Sequence, residues 1–384
     1  MLAAGMRLAF ALYDYFPFGG LERDCRLIAE RCAAAGHEVV AFARTWQGPP
    51  PAGVLVRTFG RRGLTIPARN RNYVAALQQA LAAERTPFDA VIGFQKLPGL
   101  DVYYGTDPCY AAGVYQKPWW KRWLPRYRHY LANERAVFAP EHGVVVLQYI
   151  DRDIDAYSRH YGTRREQFVV LPPNAVRAPY TPADRAHARA AVRAELGAGP
   201  DDFVLLAVGS AFHRKGFDRA VDALATLPDE RARLAVLGRD DPRPLQQLAA
   251  RRGVGARVHC LGGRSDAATW FLGADLLVHP ARRENTGTVL VEALHHGLPA
   301  VATARCGYAS HISLSGSGLQ LHDPFDASAF AAALRTAADP VTRAHWRAAA
   351  LAYASTGAIY GCHERAADAI LAAAAATSRR RRAP

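Results

Sequence analysis

Short apolar runs recur along this chain. Polar turns separate them, as do segments whose apolar positions fall every three or four residues. Residues 6–13, 38–43, 90–94 and 143–147 read as buried strands, and so do 202–208, 234–238, 258–261, 274–279 and 299–302. Each is a nearly unbroken hydrophobic run, the pattern of a parallel strand covered on both faces. Between them, 21–35 has helical spacing and is stopped by Gly36. Residues 242–252 form a second helix, and 287–296 a third, stopped by Gly297 and Pro299. Strands alternating with helices predict an α/β fold built of βαβ units around parallel sheets. A proline-rich crossing at Pro172 and Pro173 interrupts the alternation, which resumes after Pro182. The expected organisation is one domain at 1–173 and a second at 174–355. A C-terminal helix at 356–378 and a disordered basic tail at 379–384 follow.

The stretch from His279 to Pro299 carries the most chemistry. The strand ends, a polar turn follows, and a helix begins, with Thr286 the expected N-cap and Thr288 second. A helix whose first turn is small and polar leaves backbone N–H groups for an anion. Two carboxylates flank that place: Glu284 before the helix, and Glu292 roughly 7–8 Å along the axis from Gly287. A nucleoside diphosphate joined to a sugar needs donors at its phosphates and acceptors for hydroxyls on both sides. Carboxylates are the strongest such acceptors. The alternative is a polar turn and an amphipathic helix whose Glu292 faces water.

Earlier in the same half, Arg214-Lys215 closes a loop between a strand and a helix, where two cations suit a diphosphate. The alternative is an exposed basic turn. Gly-Lys-Ser/Thr is missing, so this is no Walker A loop. The first half opens strand–turn–helix through Gly19-Gly20 but without G-x-G-x-x-G, which gives a nicotinamide or flavin dinucleotide little support.

Composition changes this picture in three ways. The chain has 384 residues, 50% hydrophobic and 21% charged, enough for a large core. Its 6 cysteines form no C-x-x-C pair, which points to a reducing compartment and no structural metal. A net charge of +14 favours an anionic partner: nucleic acid, an acidic membrane face or a phosphorylated glycolipid. Asp151-Arg152-Asp153 and Asp153-Ile154-Asp155 spell a metal–nucleotide signature twice. They open a helix, where acids need no metal. No run has membrane-spanning length and the start is not a signal peptide, so a cytoplasmic protein is expected. Trp119-Trp120-Lys121-Arg122-Trp123, with Arg126 and Arg128, interleaves aromatic and basic side chains. This reads as docking on an anionic leaflet. The alternatives are a basic helix packing its rings on its own domain, or a single-stranded nucleic-acid surface. The last ranks lower, since no RNA-binding motif accompanies it.

Three motifs together resemble a known family. They are Tyr15-Phe-Pro-Phe-Gly19-Gly20-Leu-x-Arg23-Asp24, the block Gly209-Ser-x-Phe-x-Arg214-Lys215-Gly216, and Glu284-x7-Glu292 followed by His296-Gly-Leu-Pro299. Over about residues 6–370 the chain is similar to the UDP-glucose:(heptosyl)lipopolysaccharide α-1,3-glucosyltransferases, retaining enzymes of family 4 with the GT-B fold. The resemblance implies two Rossmann-like domains whose parallel sheets face across a cleft, with the C-terminal helix returning to the first. It implies that Glu284 takes hexose hydroxyls and Glu292 ribose hydroxyls. Arg214, Lys215 and the backbone at Thr286, Gly287, Thr288 and Val289 would take the diphosphate. Gly19, Gly20 and Asp24 would approach the donor from the other side, and Arg264 would lie by the base.

On the acceptor side, it makes Asp107 a contact or base. The arginines at 57, 61, 62, 69 and 71 would face phosphates of a heptosylated lipid A–core acceptor. The implied chemistry uses a UDP-sugar and no metal cofactor, with same-face attack. The expected partners are this donor, this acceptor and the anionic inner face of the inner membrane, with no nucleic acid. Other readings are a GT-B enzyme with a different nucleotide sugar or glycolipid, or a sugar-nucleotide epimerase or phosphorylase. The latter needs acid–base groups or a pyridoxal lysine that the sequence does not identify. A non-catalytic module for nucleic acid or anionic lipid would not need Glu284, Glu292 and Arg214-Lys215 together.

Overall fold

The structure is a computed structural model that describes residues 5–17, 20–105 and 107–382, the side chains of 151, 152 and 382 excepted. The chain divides into two compact units: Met1–Pro172 with Gly361–Pro384, and Pro173–Tyr360.

The first unit is built on a seven-stranded, all-parallel sheet. Its spatial order is Val54–Thr58, Glu38–Ala43, Arg7–Ala11, Ala90–Gly93, Val102–Gly105, Val145–Gln148 and Phe168–Val170. The central strands are buried along nearly their whole length, which explains their unbroken apolar sequence. One core cluster gathers Phe42, Tyr73, Tyr103, Phe138 and Tyr157, with Phe138 stacked on Tyr157 at 3.6 Å. Strand order reverses between Arg7–Ala11 and Ala90–Gly93. Loops at the carboxyl ends of such strands are where α/β sheets bind ligands.

The last helix, Cys362–Arg382, belongs to this unit. His363 Nε2 lies 2.9 Å from the buried Asp24 carboxylate, and Arg31 pairs with Glu364. The expected disordered tail is corrected for residues 379–382; 383 and 384 lie outside the described residues. The helix runs through Arg382, and Arg381 donates to the Phe88 carbonyl at 2.8 Å and pairs with Asp101 at 3.2 Å. Two anchored hydrogen-bond partners offset the repulsion among adjacent arginines that the tail reading relied on.

The second unit holds a six-stranded parallel sheet: Val258–Cys260, Arg233–Leu237, Val204–Val208, Leu276–His279, Ala300–Thr303 and Gly318–Leu321. Here the order reverses between Val204–Val208 and Leu276–His279. The loops 209–216 and 280–287 leave the carboxyl ends of these two strands, so topology alone brings the two motif blocks side by side. Beneath the sheet, Phe203, Phe217, Val221, Leu234, Val236 and Phe330 are among the buried residues of the core.

Candidate active site

Within the second unit, the loop 209–216 meets the loop 280–284 through backbone. Arg214 O accepts from Arg282 N at 2.9 Å, and Arg214 Nη1 donates to Arg283 O at 3.1 Å. Two glycines permit the packing. Gly209 has φ 128°, and a Cβ there would lie 2.5 Å from Lys215 Cε; one at Gly216 would collide with the Pro280 carbonyl. A side chain at either position would push the lysine, or the whole loop, off its neighbour.

The loops converge on Glu284. Lys215 Nζ reaches Glu284 Oε2 at 2.5 Å, Arg214 Nη1 reaches Oε1 at 3.3 Å, and Asn285 N donates to Oε1 at 3.1 Å. The Glu284 side chain is only 10% exposed and Lys215 13%, while Arg214 is 45% exposed. Burial alone would raise the Glu284 carboxyl above its ordinary 4.5. The close approach of His279 and Lys215, with the charges of Lys215 and Arg214, outweighs it and holds the group well below that value. Three members of the predicted set, Arg214, Lys215 and Glu284, are thus brought into one ionised cluster.

The following helix is Thr288–His295. Its cap is Gly287, in the left-handed region at φ 75°, not Thr286 as expected. The reason lies in the neighbours. Thr286 gives its carbonyl to Tyr308 N at 2.7 Å, and Asn285 O accepts from Gly307 N at 2.9 Å. This fixes the turn against the loop after Ala300–Thr303. The Thr286 and Thr288 hydroxyls lie 3.5 Å apart. First-turn amides of a helix have no intrahelical acceptor, and Thr288 and Val289 are the first two residues of this helix. Glu292 sits half-buried on the second turn.

Arg264 has a different setting. Its guanidinium pairs with Glu195 at 2.7 Å and Asp266 at 2.8 Å and lies over the Trp270 ring. Only the backbone there remains for a ligand role.

In the first unit, Asp24 is buried. Its carboxylate accepts from Tyr104 Oη at 3.1 Å and Tyr149 Oη at 3.2 Å besides facing His363, so it ties the first helix to the last. Gly19 lies outside the described residues. Gly20 opens the helix Gly20–Ala34, and a Cβ there would meet nothing within 4 Å. Asp107 is exposed on the loop after Val102–Gly105, and that loop is braced from below. Tyr157 Oη donates to Asp107 O at 2.8 Å, and Lys96 Nζ to Pro108 O at 3.1 Å. The wholly buried Glu134 accepts from Tyr110 N, Ala111 N and Lys96 Nζ.

Trp119–Trp123 forms a 3₁₀ turn with Trp119 67% and Trp123 69% exposed. Trp120 is 50% exposed, so none of the three indoles is buried. Arg126 and Arg128 are exposed beside them, while Lys121 lies over Trp120 and Arg122 over Tyr115.

Sequence reasoning missed several members. His279, fully buried at the end of its strand, has its Nε2 3.7 Å from Glu284 Oε2; its sequence signal was its place five residues before Glu284. Lys96 and Glu134 are 38 positions apart and gave no local signal. Leu64 and Ile66, exposed 97% and 59%, sit among the arginines read as a basic face. Among the described residues no group of three or more His, Cys, Asp or Glu side chains could hold a metal ion, and no helix is long and apolar enough to cross a membrane.

The glycosyl transferases group 1 family matches residues 188–351, which include the loops 209–216 and 280–287. Lipopolysaccharide glucosyltransferase WaaG of Escherichia coli K12 is 40% identical over 370 residues, covering 95% of this chain and 98% of that protein. The crystal structure of WaaG, a glycosyltransferase of lipopolysaccharide biosynthesis, superposes with a TM-score of 0.81 at 39% identity, covering 94% of this chain and 99% of that one. Anabaena Alr3699/HepE, solved with UDP-glucose, shares the fold at 19% identity and a TM-score of 0.66, covering 97% of this chain and 98% of its own. The chain therefore belongs to the lipopolysaccharide core glucosyltransferase family, and it is a hexosyltransferase of the GT-B fold.

Proposed function

We propose that this chain moves glucose from UDP-glucose to a heptose of the lipopolysaccharide inner core, with retention at the anomeric carbon and without a metal ion. One observation carries the reading. Arg214, Lys215 and Glu284 converge at the strand-order reversal of the second unit, beside a helix N-terminus. The full-length likeness to E. coli WaaG supports the same substrate class. Departure of UDP places growing negative charge on the diphosphate. The guanidinium, the ammonium and the amides around Thr286–Val289 lie within reach to absorb it. Glu284 accepts hexose hydroxyls and Glu292 ribose hydroxyls. The backbone at Arg264 meets the base.

Neither glutamate acts as nucleophile in this reading. The acceptor hydroxyl attacks on the face the leaving group departs from. The new C–O bond forms as the C–O bond to phosphate breaks, and the acceptor's proton passes to the departing phosphate oxygen. Asp107 contacts the acceptor. The exposed indoles at 119, 120 and 123, with Lys121, Arg122, Arg126 and Arg128, dock on anionic lipid at the cytoplasmic face of the inner membrane, and nucleic acid is no partner.

Radiolabelled sugar transfer onto core-truncated lipopolysaccharide, with a panel of nucleotide sugars and chelator present, tests the chemistry. UDP-glucose should be the preferred donor, and chelator should have no effect. Preference for another donor, or loss of transfer with chelator, overturns the corresponding part. Co-sedimentation with anionic vesicles tests docking: Trp119→Ser/Trp123→Ser should weaken binding several-fold, and unchanged binding refutes it.

A further inference from the structure

His279 stands at the end of Leu276–His279 with no exposed surface, and neither ring nitrogen has a hydrogen-bond partner among the described residues. Buried polar atoms are paired in the great majority of cases, so an orphan imidazole at a ligand-binding sheet edge calls for a cause. Its Nε2 lies 3.7 Å from Glu284 Oε2, too long for a hydrogen bond and short enough that a small rotation closes it. Lys215 occupies that same oxygen. Burial lowers the His279 pKa, Glu284 opposes, and the charges of Lys215 and Arg214 lower it further, so the ring is neutral at physiological pH.

Charge governs how this cluster responds to a bound donor. A diphosphate carries more negative charge than the single carboxylate of Glu284 and competes for the same two cations. Glu284, mostly buried, would then need another donor. A cationic replacement would compete in turn for the phosphates. A neutral imidazole supplies a hydrogen bond and no charge.

We propose that His279 is a positioning residue. As Lys215 and Arg214 turn to the donor's diphosphate, Nε2–H of His279 takes over Glu284 Oε2 and holds the carboxylate toward the sugar hydroxyls. This rests on the assignment of Glu284 to the hexose. Two variants test it: His279→Leu, which removes the donor at similar volume, and His279→Gln, which restores an N–H near Nε2.

For His279→Leu the expected result is a kcat for UDP-glucose transfer lowered by about 10-fold or more. The Kd for UDP by calorimetry should stay within about twofold, since the phosphate cations are untouched, and Tm should be equal or higher, since an unpaired polar group is gone. His279→Gln should recover most of the rate. Added to Glu284→Gln, His279→Leu should cause no further loss, because the two act as one unit. Wild-type kcat in His279→Leu, or parallel loss of kcat and UDP affinity in both variants, overturns the proposal. Failure of the underlying assignment is distinguishable: there Glu284→Gln itself would turn over normally.

Discussion

Two buried carboxylates in this chain meet a lysine ammonium at 2.5 Å, Glu134 in the first unit and Glu284 in the second, and their surroundings differ in kind. Besides Lys96, Glu134 accepts from the Tyr110 and Ala111 amides at 2.7 and 2.8 Å and from Tyr161 Oη at 2.8 Å, with the Cys109 thiol nearby. Its partners are mostly backbone and packed rings, which do not leave. Glu284 is held chiefly by the tips of two long cationic side chains, and its nearest ring is an orphan imidazole. The first carboxylate is saturated and braces a loop. The second depends on charges that a phosphate can take away. On the proposed function, the same charge pairing serves architecture in one place and chemistry in the other, and the identity of the remaining donors tells them apart.

Breaking the saturated pair should give the largest effect on stability. Glu134→Ala strands the Lys96 ammonium, only 13% exposed, and unties the helix that begins at Tyr110. Urea unfolding should show a loss of about 3–5 kcal/mol. A loss below about 1 kcal/mol would place Glu134 with the surface ion pairs.

Breaking the labile pair from the cationic side comes next. Lys215→Ala should leave the fold intact and lower kcat/KM for UDP-glucose by about 100-fold, with both KM and kcat affected. Steady-state kinetics with unchanged kcat/KM would remove the lysine from the site.

The smallest effect sharpens the contrast between two imidazoles. Unlike His279, His296 is satisfied: its Nδ1 lies 2.8 Å from Glu292 O, and its ring stacks between Tyr180 and Phe271. Burial lowers its pKa from 6.5 to about 4. The unfolded chain therefore binds the proton first, so the stability this residue contributes is present above pH 6.5 and is lost as pH falls toward 4. His296→Phe keeps a stacked ring and should flatten the pH dependence of Tm across that window. An unchanged slope would show that His296 titrates normally.

Much of this architecture could be read from sequence. The inner strands of both sheets are nearly continuous apolar runs because both faces are covered, and Glu284, Arg214 and Lys215 stand within motifs only a few residues long. What escaped notice depends on contacts between distant positions. Glu134 finds Lys96 across 38 residues. Thr286 lost the cap because Tyr308, on another loop, claims its carbonyl. Asp24 matched a motif yet is spent on His363, 339 positions away. Local patterning fixes which residues can act; long-range pairing decides which of them already have other work.

The central claim is that Glu284 is held for the donor and not for the fold. It is tested most directly by Glu284→Gln, with glucose transfer from UDP-glucose to heptosylated acceptor and the melting temperature measured on the same preparation. A fall in kcat of about 100-fold or more, with melting close to wild type, is the predicted result. Near-normal transfer, or loss of transfer that merely tracks loss of folded protein, would contradict it.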